Sequence, residues 1–150
     1  MHRGLILACA LLLAGWGTVA KPHAAAKPQP AEGARMKALV RTWSDYLNSG
    51  NNAGEAALFR LPVLMIQGPY AYRLVTPTQV AKWHAALPCS GRIVSIRVRG
   101  RYATAVFRLG NRKQSKCDAP GTLAAARFTI VRGKITEWRQ VPPPSQGPAA

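Results

Sequence analysis

From Arg92 onward the chain alternates. Val94, Ile96 and Val98 fall on one side of an extended Arg92–Arg99, with Ser95, Arg97 and Arg99 on the other. After a Gly100-Arg101 turn, Ala103, Ala105, Phe107 and Leu109 repeat the pattern over Tyr102–Leu109. A polar loop follows, and Leu123–Val131 and Lys134–Val141 then flank Arg132-Gly133, a two-residue hairpin signal. A period of two sustained over this length demands strands with one buried face, and short turns make neighbouring strands antiparallel. Such a sheet needs a cover for its apolar side.

The first half supplies the cover. Met36, Leu39, Val40, Trp43, Tyr46 and Leu47 recur at helical spacing on one face, opposite Arg35, Lys37, Arg41, Ser44 and Asp45. Asn48-Ser49-Gly50 ends that helix. A short second helix is capped by Asn52, with Glu55 as the reciprocal partner three residues on; Leu58 and Phe59 are its apolar face and Pro62 its end. Val63–Gln67 and Tyr70–Val75 read as extended pieces about a Gly68-Pro69 turn. Thr76, Pro77 and Gln79 give the third helix a cap, a first-turn proline and a capping box, with Val75 and Val80 at the staple positions. Val80, Trp83, His84 and Leu87 share its inner face, and Pro88 closes it. Helices first and long strands after them make an α+β order.

The N-terminus reads as an export signal: His2 and Arg3, an apolar Leu5–Gly15, and Thr18-Val19-Ala20 with cleavage before Lys21. Cuts after Ala24, Ala25 or Ala26, or retention as an anchor, are the alternatives. The apolar run is shorter than the roughly 20 residues of a spanning helix, so no transmembrane span is expected after cleavage. Cys9 precedes any adequate hydrophobic region, which argues against a lipoprotein box. Lys21 to Gly33 reads as a Pro/Ala/Lys tether, residues 34–141 as the folded domain and 142–150 as a tail of similar character. The address is therefore periplasmic or secreted. In an oxidising compartment the remaining pair, Cys89 and Cys117, most simply forms one disulfide. Two distant cysteines make no zinc spacing, and no metal or cofactor is expected.

The chain has 21 Lys and Arg against 5 Asp and Glu. Arg3 is the only one of these in the signal, which reduces the +16 of the full chain to +15 after cleavage. The excess suits an anionic ligand or an anionic envelope surface, or serves solubility alone. No nucleic-acid motif accompanies the charge, so nucleic acid is not the expected partner.

The closing run Arg127-Phe128-Thr129-Ile130-Val131-Arg132-Gly133-Lys134-Ile135-Thr136-Glu137-Trp138-Arg139-Gln140, above all its Gly-Lys-Ile-Thr-Glu-Trp-Arg core, resembles the final hairpin of the nuclear transport factor 2-like superfamily. That group includes SnoaL-like cyclases, ketosteroid isomerase and limonene epoxide hydrolase. The first helix and the element order agree over about Ala34 to Val141. The resemblance implies a cone-shaped roll, with a curved antiparallel sheet wrapped around about three helices and a pocket at its open end. It points to Trp43, Tyr46, Phe59, Tyr72, His84, Arg108, Trp138 and Gln140 as lining residues. For Trp43 and Tyr46 the alternative is plain core; for Trp138 it is a cover over a cross-strand Arg127. A homodimer stays open.

Enzymes of this group need a base, usually a carboxylate or histidine. The strand pattern Arg-x-Asp of the epoxide hydrolase falls on Arg108-Leu109-Gly110, with glycine for the carboxylate, and its second aspartate falls on Gln140. The isomerase-type aspartate has no counterpart in Leu61-Pro62-Val63. Glu32 lies in the tether, Asp45 on the polar side of the first helix, Glu55 in a cap, Asp118 in a loop, and Glu137 points away from the Trp138/Gln140 face. His84 is the remaining candidate base. The expectation is an exported, non-enzymatic domain binding a small hydrophobic or anionic ligand or a protein partner. The alternatives are an isomerase, dehydratase or cyclase using His84, and a cell-envelope assembly module.

Overall fold

The computed structural model describes residues 30–144. The segment read as an export signal, most of that read as a tether and the end of the tail lie outside the described residues. Helix α1 runs Pro30–Ser49 and so begins four residues inside the segment read as tether. The reason is local: Pro30 suits a first helical turn, and Glu32 sits beside the positive end of the helix dipole. Apolar periodicity starts only at Met36, so the extra turn leaves no hydrophobic trace in the sequence. Met36, Val40, Trp43 and Leu47 are buried from there on. Gly50, at φ +74°, ends the helix: its N–H bonds to Leu47 O and the N–H of Asn51 to Tyr46 O, which satisfies two terminal carbonyls.

Helix α2 spans Asn52–Ala57 and is capped one residue earlier than the sequence suggests, by Asn51, whose side chain accepts from Gly54 N. Strand β1 follows at once over Phe59–Gln67, so Phe59 belongs to the sheet and Pro62 lies inside a strand. The strand accommodates Pro62 because its pairing with β6 breaks there, the register shifting between Phe59 and Leu64. Strand β2 (Tyr70–Leu74) completes the hairpin, and α3 (Pro77–Ala85) carries the Thr76/Gln79 capping box. Strands β3 (Cys89–Arg99), β4 (Tyr102–Asn111), β5 (Leu123–Val131) and β6 (Lys134–Val141) follow.

The six strands form one curved sheet in the order β2-β1-β6-β5-β4-β3. It is mixed rather than purely antiparallel, because the β1–β2 hairpin enters with β1 parallel to β6. Two bulges adjust the alternation. One, between Ile93 and Ser95, turns Val94 to solvent while Ile96 and Val98 keep to the core side. The other, at Thr136, shifts β6 by a residue, so Trp138 stands opposite Phe128 and Arg127 opposite Arg139. The expected Trp138–Arg127 neighbourhood is thereby lost. Trp43 anchors the core, edge-on to Phe107 and Phe128 at centroid distances of 5.8 and 5.0 Å.

Candidate functional site

A cavity of about 240 Å³ opens between the C-terminal half of α1 and the concave side of the sheet. Trp43 and Leu47 come from α1, Leu87 and Pro88 from the turn after α3, and Phe107, Leu109, Ala124, Ala126, Trp138 and Gln140 from β4, β5 and β6. The space exists because β5 presents alanines where larger residues would fill it. The walls are mostly apolar, with Gln67, Ser90, Gln140 and Asp118 as polar members. Asp118 is the one charged side chain among the described lining residues, brought to the cavity by the disulfide that joins Cys89 to Cys117. The indole N–H of Trp138 is buried without a partner. An unpaired buried donor is costly, and this one is shut off from both solvent and the cavity.

Trp43 also forms the boundary with a second polar group. Its Nε1 donates to His84 Nε2 at 2.9 Å, and His84 Nδ1 donates to Val80 O at 3.0 Å. Because Nε2 accepts, the proton sits on Nδ1 and the ring is neutral. Burial lowers the His84 pKa to about 4; the bond to Val80 O opposes that shift and the Arg112 charge assists it. Glu55 lies alongside, with Oε1 3.6 Å from His84 Nε2, and both side chains are 0 % exposed. Neither Glu55 oxygen has a hydrogen-bond partner. Burial raises its pKa to about 8, against the pull of Arg112, so the acid is mostly protonated at neutral pH. Arg112, itself buried, donates to His84 O at 2.7 Å, Leu87 O at 2.8 Å and Asn52 Oδ1 at 3.3 Å, tying the end of α3 to the start of α2.

Of the residues expected to line a pocket, Trp43, Trp138 and Gln140 do so. The others do not. Tyr46 packs towards Gly54, Phe59 is buried against the His84 ring at 5.2 Å, and Tyr72 is exposed on β2. His84 stands one layer behind Trp43, and Arg108 points outward to bond Gly121 O at 3.0 Å. Glu55 is not a capping partner. Moving the cap to Asn51 places Glu55 one position further into α2, which turns it about 100° onto the core face. Glu137 does face away from Trp138 and Gln140, and its Oε1 is shared by Arg127 at 3.4 Å and Arg139 at 3.2 Å. Asp118, Gln67 and Arg112 were not legible as site or core residues. The run Ala124-Ala125-Ala126 in a strand otherwise rich in large residues is the one sequence sign of the cavity.

No protein-family model matches the chain, and no curated protein matches it. Solved structures do. A protein of unknown function from Cytophaga hutchinsonii, described as nuclear transport factor 2-like, superposes with a TM-score of 0.58 at 10% identity, over 70% of this chain and 87% of that one. The fold is nuclear transport factor 2-like. A protein of unknown function with a cystatin-like fold from Methylobium petroleophilum matches at TM-score 0.55 and 21% identity, over 78% of this chain and 82% of that one. A ketosteroid isomerase-like fold from Catenulispora acidiphila, solved in complex with trimethylamine, matches at TM-score 0.54 and 14% identity, over 69% and 83% of the two chains. The nuclear transport factor 2-like fold hosts both catalysts and binders, so the activity has to be read from the site.

Proposed function

We propose that this is an exported, non-catalytic binding protein whose cavity takes one small, largely apolar ligand that is uncharged or cationic. The observation that carries the reading is the composition of the wall. Aromatic and aliphatic side chains surround the space, and Asp118 is its only charge among the described residues. A carboxylate beside an apolar cavity repels anions and favours amines, as aromatic walls also do. The matched structure from Catenulispora acidiphila holds trimethylamine, a ligand of that chemistry. At about 240 Å³ the space suits a single ring with a short substituent, since an apolar cavity of roughly 150 Å³ already accepts benzene.

The catalytic alternative rests on His84, and the geometry works against it. His84 is separated from the cavity by Trp43, both ring nitrogens are engaged, and its lowered pKa removes it from proton transfer near neutrality. Export is supported by the N-terminal sequence and by the disulfide. Mass spectrometry of the mature N-terminus, with Lys21 expected first, tests that part; an intact Met1 would reject cleavage. Titration with uncharged, cationic and anionic single-ring compounds tests the cavity, and saturable binding of the anionic one equal to the others would reject the reading.

A further inference from the structure

The convex side of the sheet has a character opposite to that of the cavity. Pairing register puts Arg92 and Arg108 in one cross-strand row on that side, and Arg97, Arg127 and Arg139 in another. Arg99 and Arg73 fall in the next row on the same side, which they share with Tyr102 and Glu137. Seven arginines therefore face one way with a single carboxylate, and that carboxylate is already shared by Arg127 and Arg139. Among the described residues, Arg97 and Arg99 have no acidic partner.

Part of this face is hollow. A groove of about 430 Å³ is bounded by Arg97 and Arg99 on β3, Tyr102 and Thr104 on β4, Arg127 on β5, and Pro142 and Pro144 after β6. Arg97 and Arg99, two residues apart, are separated by about 6.6 Å along the strand. Arg97 and Arg127 lie two strands apart, about 10 Å across the sheet. Guanidinium groups on stems at these three corners can reach one point between them. Tyr102 and Thr104 add two hydroxyl-bearing side chains to the groove lining. Arg101 Nε donates to the Tyr102 oxygen at 3.3 Å, which leaves the phenolic proton free to donate outward.

We propose that this groove is a binding site for a tetrahedral oxyanion, a phosphate or sulfate group. The forks of Arg97 and Arg99, with the donors of Arg127 that are not turned to Glu137, outnumber the two oxygens of a carboxylate, whereas a phosphate offers three or four acceptor oxygens. Bases of a nucleic acid find no stacking platform here, because the one aromatic ring, Tyr102, is covered by Arg101 and Arg127 at 5.4 and 5.2 Å. A second copy of the chain would bring seven more arginines to the same face, so self-pairing is electrostatically disfavoured. The site is independent of the cavity, which lies on the other side of the sheet.

The test is calorimetric titration of the full folded domain with inorganic phosphate at ionic strength held constant with sodium chloride. A parallel arm uses co-sedimentation with phosphatidylglycerol vesicles against phosphatidylcholine controls. Saturable binding in either arm is expected, weakened at least tenfold by Arg97→Gln and by Arg127→Gln. Arg35→Gln, which removes the same charge from the exposed side of α1, should change it less than twofold. Thermal unfolding of each variant checks that the fold is kept. Binding only to vesicles with this variant dependence assigns the phosphate to a lipid headgroup; binding of free phosphate assigns it to a soluble ligand. No binding in either arm, or equal weakening by all three variants, overturns the proposal.

Discussion

Glu55 and His84 lie side by side in the core, Oε1 3.6 Å from Nε2, and each is held in its neutral form. The contact is too long for a hydrogen bond, and the Nε2 lone pair is already taken by Trp43. An acid and a base thus meet without exchanging a proton, because burial makes the ion pair costlier than two neutral groups.

That arrangement predicts an unusual pH profile for stability. The Glu55 pKa rises from 4.5 unfolded to about 8 folded, so its contribution is full below pH 4.5 and is lost as pH rises through 8. The His84 pKa falls from 6.5 to about 4, so its contribution is full above pH 6.5 and is lost as pH falls through 4. Between 4.5 and 6.5 the two slopes oppose each other. From 6.5 to 8 only Glu55 acts, and stability falls. Denaturant melts across pH 4 to 9 should show that plateau and fall, and Glu55→Gln should abolish the fall above pH 6.5. An unchanged fall in the variant would assign it elsewhere.

Arg112→Ala should destabilise the domain by about 2–4 kcal/mol, since it strips a charged donor from the buried carbonyls of His84 and Leu87. Arg112→Lys should recover only part of this, because an ammonium lacks the planar fork. Urea melts at pH 6 give both values. A loss below about 0.5 kcal/mol in the alanine variant would show that water replaces the guanidinium.

Gly91→Ala should cost about 1–3 kcal/mol. A Cβ there would stand 2.9 Å from Phe107 Cβ, and the backbone is pinned by Asn48 on both its N–H and C=O and by Ser44 on its C=O. Because Gly91 and Phe107 both line the cavity, the same change should narrow it. Thermal melts check the first effect. A neutral substitution would mean that the α1–β3 seam can slide.

Reduction of the Cys89–Cys117 bond, or Cys89→Ala with Cys117→Ala, should lower stability by about 3–4 kcal/mol on the chain-entropy model for a loop of 28 residues. Guanidinium melts of the two forms measure it. A difference below 1 kcal/mol would mean that the loop carrying Asp118 is held by other contacts.

The strands from β4 onward and the capping box of α3 were legible because each rests on local chemistry: alternation, a two-residue turn, a Thr/Gln pair. The parallel β1–β6 contact was not, since nothing in Phe59–Gln67 records which distant strand it joins. Trp43, Trp138 and Gln140 were reached as lining residues through the family resemblance of the closing hairpin, with parity adding only that Trp138 and Gln140 share a strand face. Tyr72 and Arg108 could not be placed, because a position at a sheet edge and the side a bulged strand faces are decided by tertiary pairing. Glu55 shows how far a small shift travels. Asn51 caps α2 in place of the expected Asn52, and that one-residue difference decides whether a carboxylate meets solvent or the core.

What the cavity accepts is decided by charge as well as size. Benzyl alcohol, benzylamine and benzoate share one ring and differ mainly in charge, and each can be titrated while following intrinsic tryptophan fluorescence. Trp43 and Trp138 in the wall should report binding. The account predicts saturable changes with the alcohol and the amine in the millimolar range or tighter, none with benzoate, and loss of all response in Ala124→Leu, which fills the cavity. Equal binding of benzoate, or binding that survives Ala124→Leu, would contradict it.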